Sequence, residues 1–305
     1  MLIDLNKTYL HLDNIRSGKI KEGLRLGYPA IDDYLRFKPG NFNVVLGHAN
    51  VGKTTVILYL MLLYTKKQKK KWLIFSSENE AHSIIRKLIE FIEQKPLNLI
   101  SEKQYRKHLD YINEYFKIVD TNTLFTYRKL LELAQAVKNA WNYDGLLIDP
   151  YNSLIKDAEI MKGIGGHEYD YQATTEMRLF CKKNMITIWL NTHANTQALR
   201  FKHQMGHQYA GHPIPPLASD VEGGGKFVNR ADDFIVIHRY TQHPSDWTKS
   251  MIHVRKVKEV ETGGRPTSMD DPIIFASIPN NVGFKLDGQN LLEPPIIEEF
   301  KPLIE

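Results

Sequence analysis

From Gly40 onward the apolar positions switch repeatedly between a strand-like run and a helical period. Phe42 to Leu46 is a strand, Lys53 to about Tyr64 an apolar helix, Trp72 to Ser76 a strand, and about Ala81 to Glu93 a helix. The rhythm continues with Phe116 to Val119, a helical stretch from about Tyr127 to Trp141, Gly145 to Ile148, a helix from about Tyr169 to Asn184, and Ile186 to Asn191. Strands alternating with helices at this spacing predict an α/β fold whose mostly parallel, twisted sheet has helices on both faces. After Asn191 the period is lost in a stretch rich in Gly, His and Pro, and a loop of that length inside a compact domain is expected to be functional. The short β-like runs Phe234 to His238, Met251 to Val257, Pro272 to Ile278 and Gly283 to Leu286 predict late antiparallel strands. Three segments follow: an arm or linker over 1–22, a single large domain over 23–286, and an acidic, Pro-containing tail over 287–305.

Composition narrows the picture a little. The 305 residues are 42% apolar, enough for a sizeable core, and 40 Lys plus Arg against 35 Asp plus Glu tilt the chain toward a polyanionic partner. A single cysteine, Cys181, excludes an internal disulfide framework and sits on what reads as a buried helix face. No apolar run approaches the roughly 18 residues needed to span a bilayer, so the expectation is a soluble protein of the cytoplasm, or of a host's cytoplasm if viral.

The chemistry lies at strand ends. Gly47-His48-Ala49-Asn50-Val51-Gly52-Lys53-Thr54 has the spacing G-x-x-x-x-G-K-T, followed by Thr55 and an apolar helix. Glycines let backbone N–H groups converge on an anion, the helix N-terminus adds partial positive charge, Lys53 reaches the β- and γ-phosphates of ATP, and Thr54 binds Mg²⁺. Leu146-Leu147-Ile148-Asp149 supplies a carboxylate for the metal's shell. The strand from Trp72 ends near Glu78 and Glu80, either of which can orient an attacking water; Glu78, closer to the strand end, is preferred. Asn191-Thr192-His193 ends a further strand on the same side of the sheet, where His193 can sense the γ-phosphate. The fold class these residues define is a RecA-like P-loop ATPase core.

In this order the motifs resemble the DnaB-like family of ring helicases, especially the helicase halves of bacteriophage and mitochondrial primase-helicases. The likeness covers roughly Gly23 to Leu286 and includes Gly27 to Tyr34 with Pro39-Gly40, the P-loop, Phe75-Ser76-Ser77-Glu78, Ile148-Asp149-Pro150, Asn191-Thr192-His193 and Gly223 to Asp232. The resemblance implies a hexameric ring with ATP and Mg²⁺ between neighbouring subunits, and 5′-to-3′ movement on single-stranded DNA that unwinds duplex. It places trans-acting cations on Lys256-Val257-Lys258, where the family's K-x-R pattern has lost its arginine; Arg255 and Arg265 are the alternatives. It also places a base-stacking pair on Arg239 and Phe275. No primase is expected within the chain, so a separate primase or polymerase would be a partner.

Two loops leave the sheet on the nucleotide side, 156–168 and 197–222. The second carries Arg200, Lys202, His203 and His207 with aromatics between them, a composition suited to DNA phosphates and some stacking. His203, His207 and His212 lack the Cys or carboxylate that would complete a zinc site. The run Lys66 to Lys71 reads as a solvated face. Two other functions share the P-loop: a recombination ATPase of RecA or KaiC type, and a DNA-binding or loading factor that uses ATP as a switch.

Overall fold

A computed structural model describes residues 3–19 and 23–292. Helix α1 (Leu5–Arg16) precedes α2 (Pro29–Asp32), β1 (Phe42–Gly47), α3 (Lys53–Gln68), β2 (Trp72–Ser76), α4 (Ala81–Glu93), α5 (Glu102–Tyr115), β3 (Phe116–Ile118), α6 (Tyr127–Ala140) and β4 (Gly145–Asp149). Then come α7 (Ala158–Gly163), α8 (Gly166–Asn184), β5 (Thr187–His193), α9 (Lys226–Arg230), β6 (Asp233–His238), β7 (Lys249–Val257), α10 (Val260–Gly263), β8 (Ile273–Ser277), β9 (Phe284–Leu286) and β10 (Gln289–Asn290).

These strands form one ten-stranded sheet in the order β10-β9-β8-β7-β6-β1-β5-β4-β2-β3. The pairings from β6 to β3 are parallel and those from β6 to β10 antiparallel, as the two kinds of apolar run predict. Strand β1 is buried along its whole length because a parallel strand between helical layers has no wet face. Its alternate residues feed two cores: Val45 joins the layer of α3, α4 and α5, while Phe42, Val44 and Leu46 join that of α6 and α8, where Cys181 is fully buried.

Three sequence expectations change. Helix α5 was not expected, because its buried face (Tyr105, His108, Leu109, Ile112) is narrow and interrupted by charge. The overlooked signal is the cap, where the Ser101 hydroxyl accepts the Gln104 N–H three residues on. The domain does not end at Leu286: β10 pairs with β9, and Leu291, 2% exposed, accepts a hydrogen bond at its carbonyl from the Tyr28 hydroxyl. The rest of the acidic tail, residues 293–305, lies outside the described residues, as do 1–2 and 20–22 of the arm, whose remainder is the helix α1 with no buried side chain.

Phe275 is the third. It is 0% exposed and packs edge-on against Tyr59 and close to Phe284 beneath the antiparallel strands, so it is a core residue and not a base-stacking one. Phe275→Ala should cost about 3–5 kcal/mol of stability with nucleotide preference unchanged. Urea unfolding alongside ATP and GTP binding checks both halves.

Candidate nucleotide site

The P-loop closes around its own lysine. Asn50 (φ 62°) and Gly52 (φ 87°) take left-handed backbone, turning successive N–H groups toward one point at the start of α3. A Cβ on Gly47 would sit 2.5 Å from the carbonyl oxygen of Ile237, so the turn needs glycine there for backbone packing. Lys53 Nζ donates to the carbonyls of Gly47 (3.1 Å) and His48 (2.9 Å), and burial pulls its pKa down. A cation held by weak carbonyl acceptors at a helix N-terminus is poised for an anion.

Parallel register brings the strand ends together. Gly47 pairs with His193 across β1 and β5, and Ser76 with Asp149 across β2 and β4. Thr54 Oγ1 donates to Asp149 Oδ2 at 2.7 Å, Asn191 Nδ2 donates to Oδ1 at 2.7 Å, and burial raises the Asp149 pKa. A buried carboxylate paired to the Thr54 hydroxyl is the donor set a hard divalent cation uses. His193 then bridges the two catalytic candidates: one ring nitrogen lies 3.5 Å from Lys53 Nζ and the other 3.3 Å from Glu78 Oε1. Glu80 instead stands at the N-cap of α4 and does not line this cleft.

The cleft measures about 530 Å³ and is lined by Ala49, Asn50, Gly52, Lys53, Thr54, Thr55, Glu78, Asn79, His193 and Arg239. The shape, the left-handed turn and the Thr54–Asp149 pair fit a nucleoside triphosphate with a divalent cation. Among the residues expected here, His48 and Val51 line an adjoining hollow of about 190 Å³ that also reaches Arg239. Arg239 carries its guanidinium 6.0 Å from the ring centre of Trp247, a half-exposed tryptophan between β6 and β7 with no periodic signal in the sequence. Asn191 was likewise unassigned; its signal is a fully buried amide in an apolar strand.

The remaining candidates are elsewhere. Lys256 Nζ donates to the carbonyls of Val228 and Ala231, both 2.7 Å away, and so ties β7 to α9 in its own chain. Lys258, 45% exposed, lies 3.4 Å from Asp232, whose carboxylate Arg178 also holds at 2.7 Å. In the 197–222 segment Arg200 and Lys202 are exposed, whereas His203 turns back to bond the Tyr240 hydroxyl at 2.7 Å and stacks on His207 at 3.9 Å. Of the run Lys66 to Lys71 read as a solvated face, Lys66, Lys67 and Lys69 are exposed, whereas Lys70 pairs with Asp144 at 2.9 Å and Lys71 is half-buried. Among the described residues no cluster of metal-ligating side chains of three or more is present, and no helix is long and apolar enough to cross a membrane.

Sheet order, P-loop and strand-end polar groups define the class: a RecA-like P-loop ATPase fold. Within it, the ATPase domain of G40P superposes with a TM-score of 0.73 at 14% identity, covering 93% of this chain and 99% of that one. A DnaB-like replicative helicase gives 0.68 at 15% identity over 93% of this chain and 66% of that one, and a KaiC-like protein of Pyrococcus horikoshii 0.56 at 17% over 88% and 99%. The fold is therefore that of DnaB-like helicase ATPase domains. In sequence the chain is similar to the chloroplastic/mitochondrial Twinkle homolog protein of Arabidopsis thaliana, 26% identical over 255 residues. That match takes in 79% of this chain and 34% of the Twinkle homolog, so the chain spans about a third of that relative's length. No family model matches the chain.

Proposed function

We propose that this domain is the motor of a replicative DNA helicase, binding ATP with Mg²⁺ and coupling its hydrolysis to movement on single-stranded DNA. The observation that carries the reading is His193. It touches Lys53 and Glu78 in the cleft, and the chain leaving it becomes the 197–222 segment that presents Arg200 and Lys202. One strand end thus touches both phosphate chemistry and the polyanion surface. Lys53 holds phosphate charge, Thr54 and Asp149 hold the metal, and Glu78 orients water. Arg239 supports the base, with Trp247 in the stacking place that Phe275 cannot fill. The similarity to the Twinkle homolog and the shared fold of DnaB-like helicase domains support the helicase reading; a hexameric ring, 5′-to-3′ movement and a partner primase or polymerase are what the family resemblance adds to it.

Lys258 favours a second reading. Its ammonium is engaged by Asp232 and offers one point charge where a guanidinium offers a fork, which suits an ATP-switched DNA-loading factor with slow turnover. Fork unwinding separates the two: the wild-type chain should unwind a tailed duplex with ATP, and Lys53→Ala should not. ATP and DNA binding without unwinding by the wild type favours the switch, and strand exchange without unwinding favours a recombinase.

A further inference from the structure

Strand β7 has two unlike faces. Ile252 and Val254 point into the core above α3, while Met251, His253 and Arg255, at alternate positions, line a cavity of about 280 Å³ roofed by the 201–217 segment. Inside the roof the rings of Tyr209 and Tyr240 stack at 3.7 Å and 19°, and Tyr209 is fixed by donating to Asp246 at 2.8 Å. Ile274, 38% exposed, stands at the rim.

The floor is polar and unsatisfied. His253 is 2% exposed, and neither ring nitrogen has a hydrogen-bond partner among the described residues. Buried polar atoms are ordinarily bonded, so this imidazole offers one donor and one acceptor to whatever enters. Arg255 also lines the cavity with its Nε unpartnered, and Asp270 lines it opposite in charge. Among the lining groups one guanidinium, Arg255, and one carboxylate, Asp270, offset each other beside the imidazoles of His203, His207 and His253, which favours an uncharged ring bearing both donors and acceptors over phosphate. Aromatic walls and methionine favour a flat, polarisable occupant, and the volume suits a single ring system. Outside the same roof, Arg200, Phe201 and Lys202 are exposed and positioned for a sugar-phosphate backbone.

We infer that the cavity beneath 201–217 is a nucleobase pocket, taking one everted base of a strand laid along Arg200 and Lys202, or a free nucleoside. It rests on the nucleic-acid reading above for the source of the base only.

The test uses the full chain and single-stranded oligonucleotides carrying 2-aminopurine at successive positions, with adenosine and cytidine as free ligands. One position per bound strand should be quenched, and an abasic residue there should weaken binding of order tenfold. Ile274→Trp, which closes the rim without touching the ATP cleft, should abolish both effects and leave ATP hydrolysis unchanged. Tyr209→Ala should do the same through the wall. If the strand binds with no position-specific quenching, or Ile274→Trp leaves the quenching intact, the pocket reading is overturned. If no oligonucleotide binds, the helicase reading fails and nucleosides decide: saturation transfer to adenosine or cytidine that Ile274→Trp removes supports the pocket, and none overturns it.

Discussion

Glu78→Gln should lower ATP turnover by about 10²- to 10⁴-fold and leave nucleotide affinity within a few-fold. The amide keeps the shape and can still meet His193 Nε2, 3.3 Å from the carboxylate, but it cannot draw a proton from water. Half-exposed at the rim of the cleft, Glu78 makes no hydrogen bond among the described residues other than that to His193, so stability should scarcely change. Phosphate release under single-turnover conditions, alongside binding of a fluorescent ATP analogue, checks both halves. Near wild-type hydrolysis would move the role away from Glu78; equal loss of binding would make it a ligand rather than a base. Lys53→Ala differs in kind, because it removes the charge that phosphate meets and should weaken both steps.

The second large effect is acid sensitivity of the antiparallel half of the sheet. Burial, and then the positive charge that would arise on neighbouring His253, push the His238 pKa down from 6.5 to about 3. Burial, then Arg255, do the same for His253. Both imidazoles are neutral in the folded chain, whereas in the unfolded chain they protonate near 6.5. The unfolded state therefore binds more protons between pH 6.5 and about 3, and stability is lost as pH falls through that window. Each tenfold in proton affinity is worth about 1.4 kcal/mol, so the pair can remove several kcal/mol. Buried Asp149 and Asp233, whose pKa values are raised by burial, act with the opposite sign, so the comparison must be between variants. Relative to wild type, His238→Leu should gain in urea midpoint as pH falls from 6.5 toward 4 and change little above 7. A constant difference at every pH would mean that His238 is not held neutral by the fold.

Much of this architecture is legible in the chain because parallel strands between helical layers are predominantly apolar, Asn43 being the one polar residue within Phe42 to Leu46. Phe42 to Leu46 and Gly145 to Ile148 announce themselves, and the polar residues that end them, Asp149 and His193, stand out against that background. Glu78 could be preferred over Glu80 because it stands two residues closer to the end of β2. What stayed hidden depends on contacts distant in sequence. Phe275 reads equally as a ring for a base or a ring for the core, and only the packing of Tyr59 and Phe284 around it decides. The histidines of the long segment read as outward, phosphate-facing groups, yet His203 turns inward because Tyr240, 37 residues on, gives its ring a hydroxyl partner. Trp247 gave no periodic signal, being in a turn between two strands.

The long segment after β5 is pinned at its base. Ala194 N–H donates to the Gly47 carbonyl at 3.3 Å, Glu222 N–H donates to the His193 carbonyl at 3.0 Å, and Asn152 joins Thr192 to Glu222. Entry and exit are thus stitched to the same few atoms beside the cleft, whatever happens in between. Doubling the length of a flexible loop adds only about 0.6 kcal/mol of closure cost. The exposed positions between the stitches, Arg200 and Lys202 among them, are therefore open to exchange and insertion while His193 keeps its place, whereas His203 and Tyr209 are held by Tyr240 and Asp246. The cleft and the exposed rim of the segment can therefore vary independently.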